Sequence, residues 1–159
     1  MGADSKLYIS RKFDNAQVVN LIHNTYMRLL GKRVELPPVK ISEVDYGDVF
    51  YMYYRLDEGL KLGQLMVFKT EVGGIPSLGL MARKDKKVIK FFKEIGKRVG
   101  GILIEDDCVD DSIILDQEET LADFDFLVKD ILTLGAHYDD NSIKKSIHEL
   151  EELLKDKIL

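Results

Sequence analysis

Hydrophobic and polar positions change period along this chain, and the changes divide it into strands and helices. Leu7, Ile9, Arg11 and Phe13 alternate with Tyr8, Ser10 and Lys12, the period-two pattern of a half-buried strand in which Arg11 is the odd member. Asp14, with Gln17 three residues on, has the capping-box spacing that satisfies free amides at a helix start. Val18, Val19, Ile22, Tyr26, Leu29 and Leu30 then recur at three- and four-residue steps, which predicts a helix stopped at Gly31. Pro37-Pro38 bars any continuation of a helix and feeds a second alternating strand over residues 39–44. Turn residues at Asp45-Tyr46-Gly47-Asp48, Asp57-Glu58-Gly59 and Gly73-Gly74 separate three more extended runs, residues 49–56, 62–72 and 76–82. Short strands joined by tight turns are antiparallel neighbours.

Residues 49–54 and 65–68 are apolar on both faces, so these strands are expected to be central and partly covered on two sides. Cover is available from helices. Val88, Phe91, Phe92, Ile95 and Val99 make one apolar stripe. After a strand at residues 100–104, Leu121, Phe124, Leu127, Val128, Ile131 and Leu132 make a second, with Thr120 as N-cap and Gly135 as stop. Ile143, Ile147, Leu150, Leu154 and Ile158 make the last, opened by Asp139-Asp140-Asn141. The predicted order is β-α-β-β-β-β-α-β-α-α. It implies an α+β fold with helices packed on an antiparallel or mixed sheet of about five to six strands. No repeat or linker divides the chain, and residues 1–159 are expected to form a single domain.

Charge is unevenly placed. Residues 83–99 hold eight basic side chains and two acidic ones, whereas residues 105–128 hold ten acidic side chains and no basic one. The net charge of −5 argues against a general nucleic-acid binder, because phosphate neutralisation needs a basic footprint. The single cysteine cannot form an internal disulfide, which suits a reducing compartment. No apolar run approaches the roughly 18 residues of a membrane span, and the start Met1-Gly2-Ala3-Asp4-Ser5-Lys6 has no signal core. The expectation is a soluble, cytoplasmic protein without a membrane partner.

The acidic run Glu105-Asp106-Asp107-Cys108-Val109-Asp110-Asp111 is the densest charge cluster and follows a buried strand. Uncompensated carboxylates speed encounter with a basic partner. An aromatic side chain beside them supplies the apolar anchor such surfaces use. Glu105, Asp106, Asp110, Asp111 and Asp116, with Phe126 off the stripe of its helix, therefore form a candidate surface for a partner protein with a basic face. The reading this favours is a small soluble protein-binding module of the inhibitor, immunity or adaptor kind, which needs no cofactor. The alternative is a divalent-metal-dependent phosphoester hydrolase. Mg²⁺ or Mn²⁺ takes oxygen ligands, which Glu105, Asp107 and Asp110 would supply, and a metal-bound water would be the nucleophile. An EF-hand is excluded, since the sixth position counted from Asp106 is Asp111 where that loop requires glycine. The last helix, pairing with its copy, would give a homodimer.

Other features have plainer readings. Cys108 lies among acids, which disfavour a thiolate. Lys86, Lys90, Lys93 and Lys97 form one row on their helix, the wet side of an amphipathic element, and the neighbouring acids are positioned to cancel its field. His23, His137 and His148 are scattered without ligand spacing. Tyr46, Tyr51, Tyr53 and Tyr54 read as cross-strand packing or as the lining of a groove. Gly73-Gly74 and Gly100-Gly101 lack the residues that follow in phosphate-binding loops.

Overall fold

The computed structural model describes residues 3–10, 15–41, 49–57, 59–106 and 112–118. Its strands are β1 (Asp4–Ile9), β2 (Val39–Ile41), β3 (Val49–Tyr53), β4 (Gln64–Val72), β5 (Ile75–Arg83), β6 (Gly101–Ile104) and β7 (Ile113–Leu115). Two helices interrupt them, α1 (Asn15–Leu30) and α2 (Lys86–Val99). The strands form one sheet in the order β2-β3-β4-β5-β1-β6-β7 with every pairing antiparallel, so the fold is α+β. No helix among the described residues is long and apolar enough to cross a membrane.

Registers sort the side chains into two faces. Inner-face positions Leu7, Leu65, Val67, Leu80 and Leu103 are fully buried and join one cluster with Val18, Val19 and Ile22 of α1 and Val88, Phe91, Phe92 and Ile95 of α2. Both helices therefore lie on this face. The whole α2 stripe read from the sequence is buried, while Lys86, Lys90, Lys93 and Lys97 are exposed. Burying a Phe91 or Phe92 side chain is worth on the order of 1.5–3 kcal/mol.

The helix ends follow their local chemistry. Asp85 caps α2, its carboxylate accepting from the Lys87 amide at 2.8 Å. Gly100, at φ +75°, ends it by donating its amide to the Gly96 carbonyl at 2.6 Å. Gly31, at φ +69°, ends α1 as predicted, donating to the Met27 carbonyl at 2.9 Å. Arg98 is buried between the helices, where its Nη1 donates to Asn24 Oδ1 and Thr25 Oγ1, both at 3.1 Å.

The outer face is different. Two cross-strand rows run over it, Ile114-Ile102-Tyr8-Gly79-Phe68-Val49 and Ile104-Lys6-Met81-Met66-Tyr51-Lys40. Most of these side chains are half-buried, and none belongs to the core cluster. Tyr8 meets Phe68 edge-on, with ring centroids 6.3 Å apart at 87°, across Gly79.

Three differences from the sequence reading have simple causes. The first strand begins at Asp4, three residues early, because pairing with β5 continues to Asp4 opposite Arg83. The sheet has seven strands because β7, only three residues long, adds to β6; so short a run carries no readable period. It is held where Leu115 packs against Gly96 of α2 and where the Glu118 amide donates to the Lys97 carbonyl at 2.6 Å. Among the described residues β3 and β4 are buried on the inner side and only half-covered on the other. The first strand's continuation through Phe13, the Asp14 cap, the turn near Tyr46 and both predicted helices after Thr120 lie outside the described residues.

The ring of Phe68 occupies the space a Cβ at position 79 would take. Gly79→Ala is therefore expected to displace it and cost about 1–3 kcal/mol. In a thermal melt this reads as a fall of roughly 2–4 °C per kcal/mol for a chain of this length. An unchanged midpoint would mean that the ring is not held there.

Candidate functional site

The acidic segment begins where β6 ends, and its first carboxylates turn back onto the protein. Glu105 Oε1 lies 3.4 Å from Lys93 Nζ on α2, and Asp106 Oδ2 lies 3.1 Å from Lys84 Nζ. Ser5 anchors the bend from beneath, its hydroxyl donating to the Glu105 carbonyl at 2.5 Å. Such half-exposed pairs contribute roughly 0.2–1 kcal/mol each, but they cancel part of the field of both charged halves. Asp116 is exposed just past β7, beside exposed Gln117 and Glu118. Asp107, Asp110, Asp111 and Phe126 lie outside the described residues.

Of the three carboxylates proposed as metal ligands, Glu105 alone is described, and it faces a lysine. Among the described residues no group of three or more histidine, cysteine, aspartate or glutamate side chains is arranged to hold a metal ion.

Beside these acids, β7 presents apolar surface. Ile113 and Ile114 are 39% and 76% exposed on the last strand of the sheet, whose outward backbone edge no described strand covers. Leu115, between Ile114 and Asp116, points inward to α2. The β7 edge thus combines exposed isoleucines with a fringe of carboxylates.

A second constellation was not legible in the sequence. His23 of α1, 1% exposed, receives a hydrogen bond at Nδ1 from the Tyr54 hydroxyl at 3.0 Å and donates from Nε2 to the Val34 carbonyl at 2.9 Å. A carbonyl only accepts, so Nε2 carries the proton; in the neutral ring Nδ1 is then the acceptor and the phenol the donor. Tyr26 packs on Tyr54 with centroids 4.3 Å apart, and its hydroxyl closes over Gly59. Burial, reinforced by Tyr26, holds the Tyr54 phenol well above its ordinary value of 10.0. Tyr26 and Tyr54, but not His23, line a cleft of about 480 Å³ together with Tyr53, Lys32, Arg33 and Arg55. Arg55 is already engaged by Asp57 through two bonds of 3.2 and 2.9 Å, which lower the Asp57 pKa.

A larger cleft, about 620 Å³, opens on the outer face over Tyr51, Met66 and Met81, with Leu56, Lys61 and Arg83 on its rim. Among the described residues neither cleft is lined by a histidine or a cysteine. The signal for the first was a histidine and a tyrosine three apart on the apolar stripe of α1, His23 and Tyr26, where a lone imidazole must find partners. Tyr54 was grouped with the strand tyrosines, but β3 ends at Tyr53 and Tyr54 turns toward α1.

Tyr54→Phe removes the donor to a buried ring nitrogen and is expected to cost about 1–3 kcal/mol at neutral pH. The variant also changes the alkaline limb. A phenol kept neutral when folded but ionising near pH 10 when unfolded makes the folded state the more protonated one. Its contribution is complete below pH 10 and lost above it, so wild-type stability should fall more steeply there than that of Tyr54→Phe. Parallel alkaline limbs in urea titrations would contradict the assignment. No family model matches the chain, and no curated protein or solved structure matches it.

Proposed function

We propose that the protein is a small protein-binding module, of the inhibitor, immunity or adaptor kind, whose partner presents a basic surface to the acidic segment around β7. The observation that supports this reading most directly is the exposed Ile114, on a sheet edge that no described strand covers, with Glu105, Asp106 and Asp116 near its ends. Apolar anchors ringed by charge are how such interfaces divide their work. The anchor supplies affinity once desolvated, and the carboxylates supply encounter rate and choice of partner. The two acids nearest the sheet are satisfied internally, so the carboxylates offered to a partner are Asp116 and, by sequence, Asp110 and Asp111.

The triple variant Asp110→Lys, Asp111→Lys, Asp116→Lys should fail to retain from native lysate a protein that the wild type retains, with its melting midpoint unchanged. The retained protein should elute with added salt, because exposed charges are screened beyond about 10 Å at 0.1 M. Ile114→Ala should weaken the same complex by roughly tenfold, about 1.4 kcal/mol. Equal retention by the wild type and the triple variant would overturn the reading.

A further inference from the structure

We propose that the cleft over Tyr51, Met66 and Met81 binds a small amphipathic monoanion, an aliphatic chain ending in a carboxylate. The cleft is centred on β3, β4 and β5, with β1 and β6 between these strands and β7. The inference therefore stands independently of the partner proposed for the β7 edge.

The floor supplies the apolar half of the site. Tyr51, Met66 and Met81 are successive cross-strand partners, so their half-buried side chains make one continuous strip on the outer face. Leu62, 1% exposed, and Leu56, 63% exposed, add aliphatic wall. Leu56 leans over Gly63 at the mouth, and a bound chain would take this exposed leucine out of water. The cleft, about 620 Å³, falls within the roughly 300–1,000 Å³ of small-ligand sites. Two methionines at its centre suit a flexible chain, because the thioether adapts to the shape it meets.

Charge selects the head group. Lys61 and Arg83 are exposed on the rim, and among the described residues neither is engaged by a carboxylate. Lys84, the other cation of the lining, is taken by Asp106, and Asp85 is occupied with the Lys87 amide. Lys61 stands at φ +57°, in the left-handed region that a residue with a side chain seldom adopts. Its neighbours Leu60 and Leu62 are both buried, which fixes the backbone and keeps the ammonium at the rim. Conformations of this kind gather where ligands are bound. Arg83 brings a planar fork that meets a carboxylate through two parallel bonds. Asp4 and Asp85 also line the cleft, so a dianionic phosphate would meet repulsion that a single carboxylate charge largely escapes.

Methionine-methyl NMR during titration with decanoate reports place and affinity together. Met66 and Met81 line the cleft, whereas Met27 and Met52 are buried away from it. Decanoate should shift the methyls of Met66 and Met81 saturably and leave those of Met27 and Met52 in place. Acetate, which lacks the chain, and decanol, which lacks the charge, should each bind at least tenfold more weakly. Lys61→Gln with Arg83→Gln, both on the exposed rim, should keep the melting midpoint and lose roughly tenfold or more in decanoate affinity, the loss expected for charge-assisted bonds. The same variant should bind decanol as the wild type does. If the double variant melts early, the comparison of decanoate with decanol on the wild type decides alone. Absence of a saturable shift at Met66 and Met81 would overturn the proposal, as would equal affinity for decanol and decanoate or a stable double variant that binds decanoate unchanged. Shifts that require phosphatidylglycerol vesicles and are absent with monomeric decanoate would overturn it too, because a lipid surface would then be the ligand.

Discussion

A sheet buries only the side that something lies on, and in this protein both described helices lie on one side. The constraint originates in α2, whose five stripe residues are buried against β1, β6 and β7. Once Phe91 and Phe92 fill the inner face, the alternation of each strand is decided. A one-residue slip would carry Leu7, Leu65 and Leu80 to the outer face together. The close approach of Leu115 to Gly96 belongs to the same packing, because a side chain at 96 would push β7 off the sheet. The acidic segment is therefore hung between two points that α2 itself controls, the end of β6 and the return of Glu118 to the Lys97 carbonyl.

The charge asymmetry has a structural reading as well as a functional one. A helix with Lys86, Lys90, Lys93 and Lys97 along its wet side repels itself unless carboxylates stand near. Glu105 meets Lys93, and Glu94 meets Lys97 at 3.0 Å. These contacts cancel part of the field of the α2 lysines. The described acids of the segment are thus not equivalent: Glu105 and Asp106 face lysines, and Asp116 is exposed.

Legibility in the sequence followed periodicity. The α2 stripe, the α1 stripe with its stop at Gly31, and the turn at Gly73-Gly74 were all readable, because each rests on a local rule of spacing or backbone conformation. β7 was not, since Ile113-Ile114-Leu115 is too short to show alternation and exists through pairing with β6. The one-sidedness of the helix layer was equally hidden, because an apolar strand face states that cover is needed without saying which element supplies it. Of the candidate site, the acids at 105, 106 and 116 were legible as a cluster, but their division between Lys84, Lys93 and solvent depends on packing across the sheet edge. The pairing of His23 with Tyr54, separated by 31 residues, left only the trace of an imidazole on an apolar stripe.

That imidazole explains why α1 sits where it does. Apolar burial is non-directional and would tolerate a helix rotated or shifted by part of a turn. Directional bonds remove the freedom. Asn24 and Thr25 accept from Arg98 of α2, and one residue earlier His23 bonds both Tyr54 and the Val34 carbonyl. Adjacent residues on α1 thereby lock it to the second helix on one side and to the segments after α1 and β3 on the other. A buried polar group left unmet costs about 1–3 kcal/mol, so alternative registers that break these bonds are penalised several times over. The cleft lined by Tyr26 and Tyr54 beside them is accordingly held in shape by the same bonds that place the helix.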